Sequence, residues 1–300
     1  MLPGMAAKPM VAIIGAGNLG AALSTSLTRA GYKIEFVISR SRGASLKKAQ
    51  KLAKEVGAIA LAGAPNAGAP KEMQAKLIWF CVPDSEIASA ARALAGKLKW
   101  TGRIALHTSG ALTSDELSVL RSRGARVASV HPLMTFVRGS RPSLAGVSFA
   151  LEGDATAVRV ARRIVDDLGG HSYSIRKVDK AAYHAWGTFA SPLFTALLAT
   201  TEQVAGLAGV SAKASRRRMI PILLQTLANY ASFGAAGAFS GPIVRGDVDT
   251  VRRHLHALRR LPAARDVYSA LAQAALQYLP VKNKKALRQT LERKVESRTD

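Results

Sequence analysis

A single cysteine, 19 acidic residues against 43 basic ones, and no long apolar run mark this 300-residue chain by what it has little of. One cysteine excludes an internal disulfide and any cysteine-built metal site. Cys81 stands in the apolar run LIWFCVP, where a buried structural thiol is expected. No uninterrupted apolar stretch reaches about 18 residues, so no membrane span is expected. The opening residues, MLPGMAAKP, lack a charged segment followed by an apolar one, so no secretory signal is read there. The expectation is a soluble, cytoplasmic protein.

The histidines lack ligand spacing backed by acids. The one H-x-H pair, His254 and His256, lies in a cationic helix that would repel a metal ion, so none is expected. No nucleophile-elbow context supports hydrolase chemistry of the Ser-His-Asp kind. The shortage of acids leaves a formal charge of +24. It is spread along the chain: 20 Lys+Arg against 7 Asp+Glu in residues 1–150, and 23 against 12 in residues 151–300. With no basic arm and no interleaved aromatics, nucleic acid is not the expected partner. A solvated basic surface that attracts anionic cofactors fits better.

What is present is a hydrophobic content of 48%, enough to bury two modest cores. Met10 to Ile14 is a short branched apolar run. Gly15-Ala16-Gly17-Asn18-Leu19-Gly20 follows at once, then a helical pattern to Ala30 and a second strand from Lys33 to Ser39. A strand–glycine loop–helix–strand unit is the context in which G-x-G-x-x-G binds a dinucleotide. Gly15 allows the tight turn, Gly17 lets a pyrophosphate approach the backbone, and Gly20 lets helix and strand pack closely. The helix N-terminus offers free N–H groups to the phosphates.

Further strands are expected at 59–62, 77–82, 103–107, 126–130 and 147–152, with helices at 44–56, 84–98, 113–123 and 154–168. Alternation of this kind implies a parallel, doubly wound sheet, with ligands at the carboxyl ends of its strands. The residues after each strand are therefore the candidates: Cys81, Val82, Pro83 and Asp84; His107 to Gly110, including Ser109; and His131 to Met134. An NAD site would carry a carboxylate after the second strand. Here the chain reads Ser39-Arg40-Ser41-Arg42, with no acid between Glu35 and Glu55. Arginines and hydroxyls suit a 2′-phosphate, so the expected cofactor is NADP(H).

From Asp179 the composition turns to Ala, Leu and Thr, with helices expected over 180–208 (interrupted by Pro192), 211–231, 248–258 and 265–279. Domains are expected at 1–152 and 153–300. One loop stands apart, Ser240-Gly241-Pro242-Ile243-Val244-Arg245-Gly246-Asp247. Asp247 is placed to cap the following helix, and Arg245 to reach an anionic group.

The glycine loop, HTSGAL, ASVHPLMTF, the pair Tyr183-His184, SGPIVRGD and TVRRHLHAL together resemble the Rossmann-like proteins with a C-terminal domain of unknown function, family 2520. The resemblance runs from about Val11 to Leu279. It implies a Rossmann domain followed by an all-α domain like that of 6-phosphogluconate dehydrogenase. The wider superfamily includes pyrroline-5-carboxylate reductase and ketopantoate reductase. It further implies an NADP-linked oxidoreductase acting on a small molecule at the domain interface, as a homodimer through the helical domain. A silent NADP(H)-binding sensor or assembly protein is the alternative. Two positions depart from the family's pattern: Met134 replaces a glutamine, and Ala190-Ser191-Pro192 replaces an ASN tripeptide.

In the related hydroxyacid dehydrogenases a Lys and an Asn project from the first long helix of the second domain. His184 and Ser191 lie in that region here, with Lys180 one turn before His184. Hydride transfer belongs to the cofactor, and the protein must manage a proton. His131 and His184 are the candidates for that task, and Ser191 is the third catalytic candidate. Arg245, Asp247 and Met134 are candidates for the substrate pocket.

Overall fold

Four apolar residues buried on both faces form the first strand, β1 (Val11–Ile14). The computed structural model describes residues 8–39, 43–62 and 73–292. After β1 come α1 (Asn18–Arg29), β2 (Ile34–Ser39), α2 (Ala44–Val56), β3 (Ile59–Ala62), β4 (Leu77–Phe80), α3 (Asp84–Ala95) and β5 (Ile104–His107). A 3₁₀ turn (Ser114–Leu117) and one helical turn, α4 (Ser118–Arg121), stand where a full helix over 113–123 was expected. Then follow β6 (Arg126–Pro132), β7 (Ser148–Gly153), α5 (Ala155–Asp167), β8 (His171–Ser174) and α6 (Lys180–Thr188).

These strands form one sheet in the order β3-β2-β1-β4-β5-β6-β7-β8. β1 to β6 run parallel, β7 is antiparallel to β6, and β8 is parallel to β7. The order reverses between β1 and β4, which is where a doubly wound sheet opens a crevice for ligands. Alternating side chains of β1 feed two cores. Val11 and Ile13 join Leu23 and Leu27 of α1, Leu52 of α2 and Ile164 of α5. Ala12 and Ile14 join Ile87 and Ala91 of α3 and Leu120 of α4. The sheet is thus covered on both faces.

The chain divides into two compact units between Thr188 and Phe189. The expected boundary at 152/153 falls inside the first of these units. The apolar stripe of α5 (Ala157, Ala161, Ile164, Val165) packs into the sheet core, and β8 extends the sheet beside β7. Both therefore belong to the first unit.

The helix expected over 180–208 is broken by a π-turn, Phe189–Leu193, that contains Pro192. Proline has no N–H for the helical ladder and displaces the preceding turn. The second unit is helical: α7 (Phe194–Leu207), α8 (Ala212–Ala238), α9 (Pro242–Arg245), α10 (Val248–Ala257), α11 (Pro262–Tyr278) and α12 (Lys284–Glu292). Its core is Val251 and Leu255 of α10, Ala272 and Leu276 of α11, Val281, and Leu287 and Leu291 of α12. α8 kinks at Gly234, where φ is +67°. Among the described residues no single helix is long and apolar enough to cross a membrane, though one bent pair, Lys177–Leu207 with Ala212–Arg245, meets that test together.

Candidate functional site

The glycine loop sits at the reversal point between β1 and β4. Gly15 has φ +103°, and a Cβ there would stand 2.3 Å from the carbonyl oxygen of Cys81. A Cβ on Gly20 would stand 2.1 Å from the carbonyl oxygen of Gly15. These two glycines let the loop, β4 and α1 approach, and only a hydrogen fits at either. Gly17 is different: beyond its chain neighbours, no atom of the described residues lies within 4 Å of its Cβ position. It caps α1 with no side-chain bond, and the first turn of α1 contains no acid. The N-terminal N–H groups of a 12-residue helix are left for an anion.

Asn18 turns its amide to the carbonyl of Phe136, donating at 3.1 Å, and Leu19 packs toward the core. Ser39 is buried at the end of β2, and its hydroxyl donates to the carbonyl of Leu61 at 3.4 Å. Arg40, Ser41 and Arg42 lie outside the described residues. Glu35 is occupied elsewhere, accepting from the N–H groups of Gln74 and Ala75 at 3.0 and 2.5 Å. It is not a substitute for the missing carboxylate.

Beyond the glycine loop the carboxyl edge continues through residues that touch in series. Cys81 is buried, and burial pushes its thiol up to about 12, so it is no nucleophile at neutral pH. Val82 is half-buried and Pro83 exposed; Pro83 precedes α3 as its N-cap residue. Asp84, in the first turn of α3, accepts from the Ser109 hydroxyl at 2.7 Å. Ser109 Oγ in turn accepts from the Leu112 N–H. His107 is fully buried. Its Nε2–H donates to the Thr113 carbonyl at 2.9 Å, and its Nδ1 accepts from the Ser109 N–H at 3.2 Å. Burial holds its pKa down to about 4, so the ring is neutral and serves to shape the loop 107–113.

The next loop residue, Gly110, meets the histidines. A Cβ there would lie 2.6 Å from Cδ2 of His184 and 2.8 Å from Nε2 of His131. The two imidazoles meet edge-on, 6.1 Å between centroids. His131 Nδ1 is 2.7 Å from the hydroxyl of Tyr183. Burial lowers His131 to about 4, with further lowering by Lys180, His184 and His107, and burial raises the phenol of Tyr183 well above its usual range. Both groups are therefore neutral. Assigning the phenol O–H as donor to Nδ1 leaves the ring proton on Nε2, on the side of Gly110 and His184.

Lys180, Tyr183 and His184 share one face of α6 by their i, i+3, i+4 spacing. Lys180 is turned inward. Its Nζ donates to Ser129 Oγ at 2.7 Å and to the Ser109 carbonyl at 3.1 Å. Burial lowers its pKa to about 8, opposed by Glu152 and Asp84.

Met134 is 40% exposed in the segment after β6. Ser191 lies in the π-turn of the second unit, where its carbonyl accepts from the Thr195 hydroxyl. Asp247 caps α10, accepting from the Thr250 N–H at 3.0 Å, while Arg245 is exposed at the end of α9. Sequence reasoning placed Lys180 on the helix face but did not give it a role, and it passed over Ser129. Among the described residues no group of three His, Cys, Asp or Glu is arranged to hold a metal ion.

Residues 5–132 match a Rossmann-like domain, and residues 147–275 match a domain of unknown function, DUF2520. No match was found among curated proteins. Similar solved structures include a Bacteroides fragilis protein provisionally named an NADP oxidoreductase. It is 21% identical with a TM-score of 0.72, covering 89% of this chain and 97% of that one. An imine reductase from Pseudomonas sp. is 22% identical with a TM-score of 0.61, covering 95% and 99%. A reductive aminase from Aspergillus terreus, in complex with NADPH, is 16% identical with a TM-score of 0.62, covering 94% and 99%. At these identities the likeness establishes the fold.

Proposed function

We propose that this chain, a Rossmann-like domain joined to a DUF2520 domain, is an NADP(H)-dependent oxidoreductase acting on a small carbonyl, hydroxyl or imine compound. The observation that carries the reading is a series of contacts along the carboxyl edge. It leads from Gly15 to Cys81, from Asp84 to Ser109 in the loop 107–110, and from Gly110 to His131 and His184. One end of this series suits a dinucleotide and the other manages a proton. The names of the similar structures, an NADPH-bound reductive aminase and an imine reductase, favour the same chemistry.

The residues fit the cofactor. Gly17 leaves open the side a pyrophosphate needs, and the N-terminus of α1 carries no competing acid. Ser39 with Arg40, Ser41 and Arg42 would take the 2′-phosphate. When bound, the nicotinamide supplies or accepts the hydride. His131 holds the proton at Nε2, Tyr183 fixes that tautomer, and Gly110 keeps the space beside the ring small.

The same reading includes a second copy as partner. Of the 27 residues of α8 only Ser215 is buried, while Ile222, Leu224, Leu227, Tyr230 and Phe233 are exposed. A groove of about 620 Å³ lined by Leu197, Val204, Tyr268 and Leu271 lies in the same unit. Apolar area of this extent is ordinarily covered by a partner.

The test is calorimetric titration of NADPH and NADH into wild type and Arg40→Glu, followed by turnover on keto acids, aldehydes and cyclic imines. NADPH should bind wild type more tightly than NADH, and Arg40→Glu should erase the difference. Equal affinity for both in wild type removes the cofactor assignment. Tight NADPH binding without turnover would identify the sensor alternative, which Met134 and Pro192 favour.

A further inference from the structure

Lys180 is the one charged side chain among the largest fully buried ones of the described residues, 1% exposed at the start of α6. Burying an ammonium is costly unless a carboxylate or good hydrogen bonds compensate it. Among the described residues no carboxylate forms an ion pair with it. Glu152 gives its oxygens to the N–H and hydroxyl of Ser114, and Asp84 accepts from Ser109. Lys180 binds only neutral oxygens, the Ser129 hydroxyl and the Ser109 carbonyl, and Ser129 also donates to that carbonyl at 3.1 Å. A methionine of similar length would fill the space without the charge. The charge therefore has work at the place it touches, and that place is the peptide joining Ser109 to Gly110.

We infer that Lys180 is the positioning residue of this site: its ammonium clamps the loop 107–110 onto β6, so that Gly110 closes on His131 and His184. Three elements meet at the one nitrogen: β6 through Ser129, the loop after β5 through Ser109, and α6 through Lys180 itself. Ser129 and His131 lie two residues apart on the same face of β6, so the clamp and the imidazole share one strand. The groups facing the ammonium are His107 on β5, His131 on β6, Glu152 on β7 and Asp84 on α3. The two carboxylates favour its charge, and its charge disfavours protonation of both rings. Burial holds His131 neutral and Tyr183 sets its tautomer; the Lys180 charge reinforces the neutral ring, and Lys180 exchanges no proton itself because both of its acceptors are protein groups. That last step rests on the proposed reading of His131 as the proton carrier.

The test is an NMR titration of imidazole-labelled full-length chain, comparing wild type with Lys180→Met. Loss of the charge should raise the His131 pKa by about one unit, a roughly tenfold change in the protonated-to-neutral ratio at a given pH. A folded Lys180→Met chain with an unmoved His131 overturns the inference. Lost NADPH turnover beside an unmoved His131 titration also overturns it, since Lys180 would then be the proton donor. Should Lys180→Met not fold, Ser129→Ala decides, because it keeps the charge and removes one anchor. The Ser109 and Gly110 amide resonances should then shift while His131 titrates within about half a unit of wild type. Unmoved amide resonances overturn the clamp. The NMR readouts need neither substrate nor cofactor, so they fail separately from the oxidoreductase reading, which the NADPH titration tests.

Discussion

Two substitutions two residues apart, Gly15→Ala and Gly17→Ala, separate folding from ligand binding. At position 15 the new Cβ would lie 2.3 Å from the Cys81 carbonyl oxygen and 2.8 Å from its carbon, at φ +103°. Both neighbours are backbone, so β1 and β4 must move apart to admit the methyl. Left-handed strain costs about 1–2 kcal/mol, and overpacking adds about 1–3 kcal/mol. The expected loss is thus about 2–5 kcal/mol, a large share of an ordinary domain's stability. At position 17 the backbone is extended, φ −72° and ψ −176°, and beyond its own turn no atom of the described residues lies within 4 Å of the Cβ position. Only a glycine N-cap is lost there, at about 1 kcal/mol or less. Yet that open side is where a pyrophosphate must approach the backbone. Urea unfolding should therefore show a large fall for Gly15→Ala and a small one for Gly17→Ala. Calorimetry should show NADPH affinity falling at least about tenfold for Gly17→Ala, or about 1.4 kcal/mol. Wild-type affinity in a folded Gly17→Ala chain would refute the phosphate site. Wild-type stability in Gly15→Ala would refute the packing argument.

The buried histidines predict a pH dependence of stability. His107 and His131 are held at about 4 in the folded chain against 6.5 for a free imidazole. With the folded pKa depressed, the unfolded chain takes up protons first, so stability is full above pH 6.5 and is lost as pH falls toward 4. Each ring should cost about 2 kcal/mol by pH 5, and a flat urea midpoint from pH 7 to 5 would contradict the assignment. Tyr183→Phe removes the partner of His131 Nδ1 and should destabilise by about 1–2 kcal/mol, shifting the His131 ring resonances; unchanged resonances would show that the 2.7 Å bond does not form. Phe233→Glu places a charge on the exposed apolar face of α8 and should convert a dimer to a monomer in light scattering. A monomeric wild type would remove the dimer reading.

How far the fold was legible follows from which signals are local. β1 to β7 are apolar runs or lie beside them, and each was readable within a residue or three. β8 was not, because His-Ser-Tyr-Ser contains one large apolar side chain and sits at the sheet edge, half exposed. The apolar stripe of α5 would have served a helical bundle as well as a sheet face, and only the partner tells them apart. Pro192 was readable as a break but not as a π-turn, since proline states which bond is lost and not how the neighbouring carbonyls are repaired.

The site divides along the same line. The glycine loop declared itself because its whole requirement, a turn, an open side and a close helix, is met within six residues of one strand end. The proposed reaction end depends on contacts 51 to 71 residues apart: Lys180 to Ser129, Lys180 to Ser109, and His131 to Tyr183 at 52. Nothing local distinguishes the buried Lys180 from the exposed lysines around it, and a lysine reads by default as a surface residue. His131 and His184 were selected from six histidines by their place after a strand and at a helix start, and Gly110 brings those two together. A default reading would fail where a side chain breaks the ordinary rule for its type, as the sealed ammonium does. Departures of that kind are maintained at a stability cost, and they mark where a chain departs from what its fold alone requires.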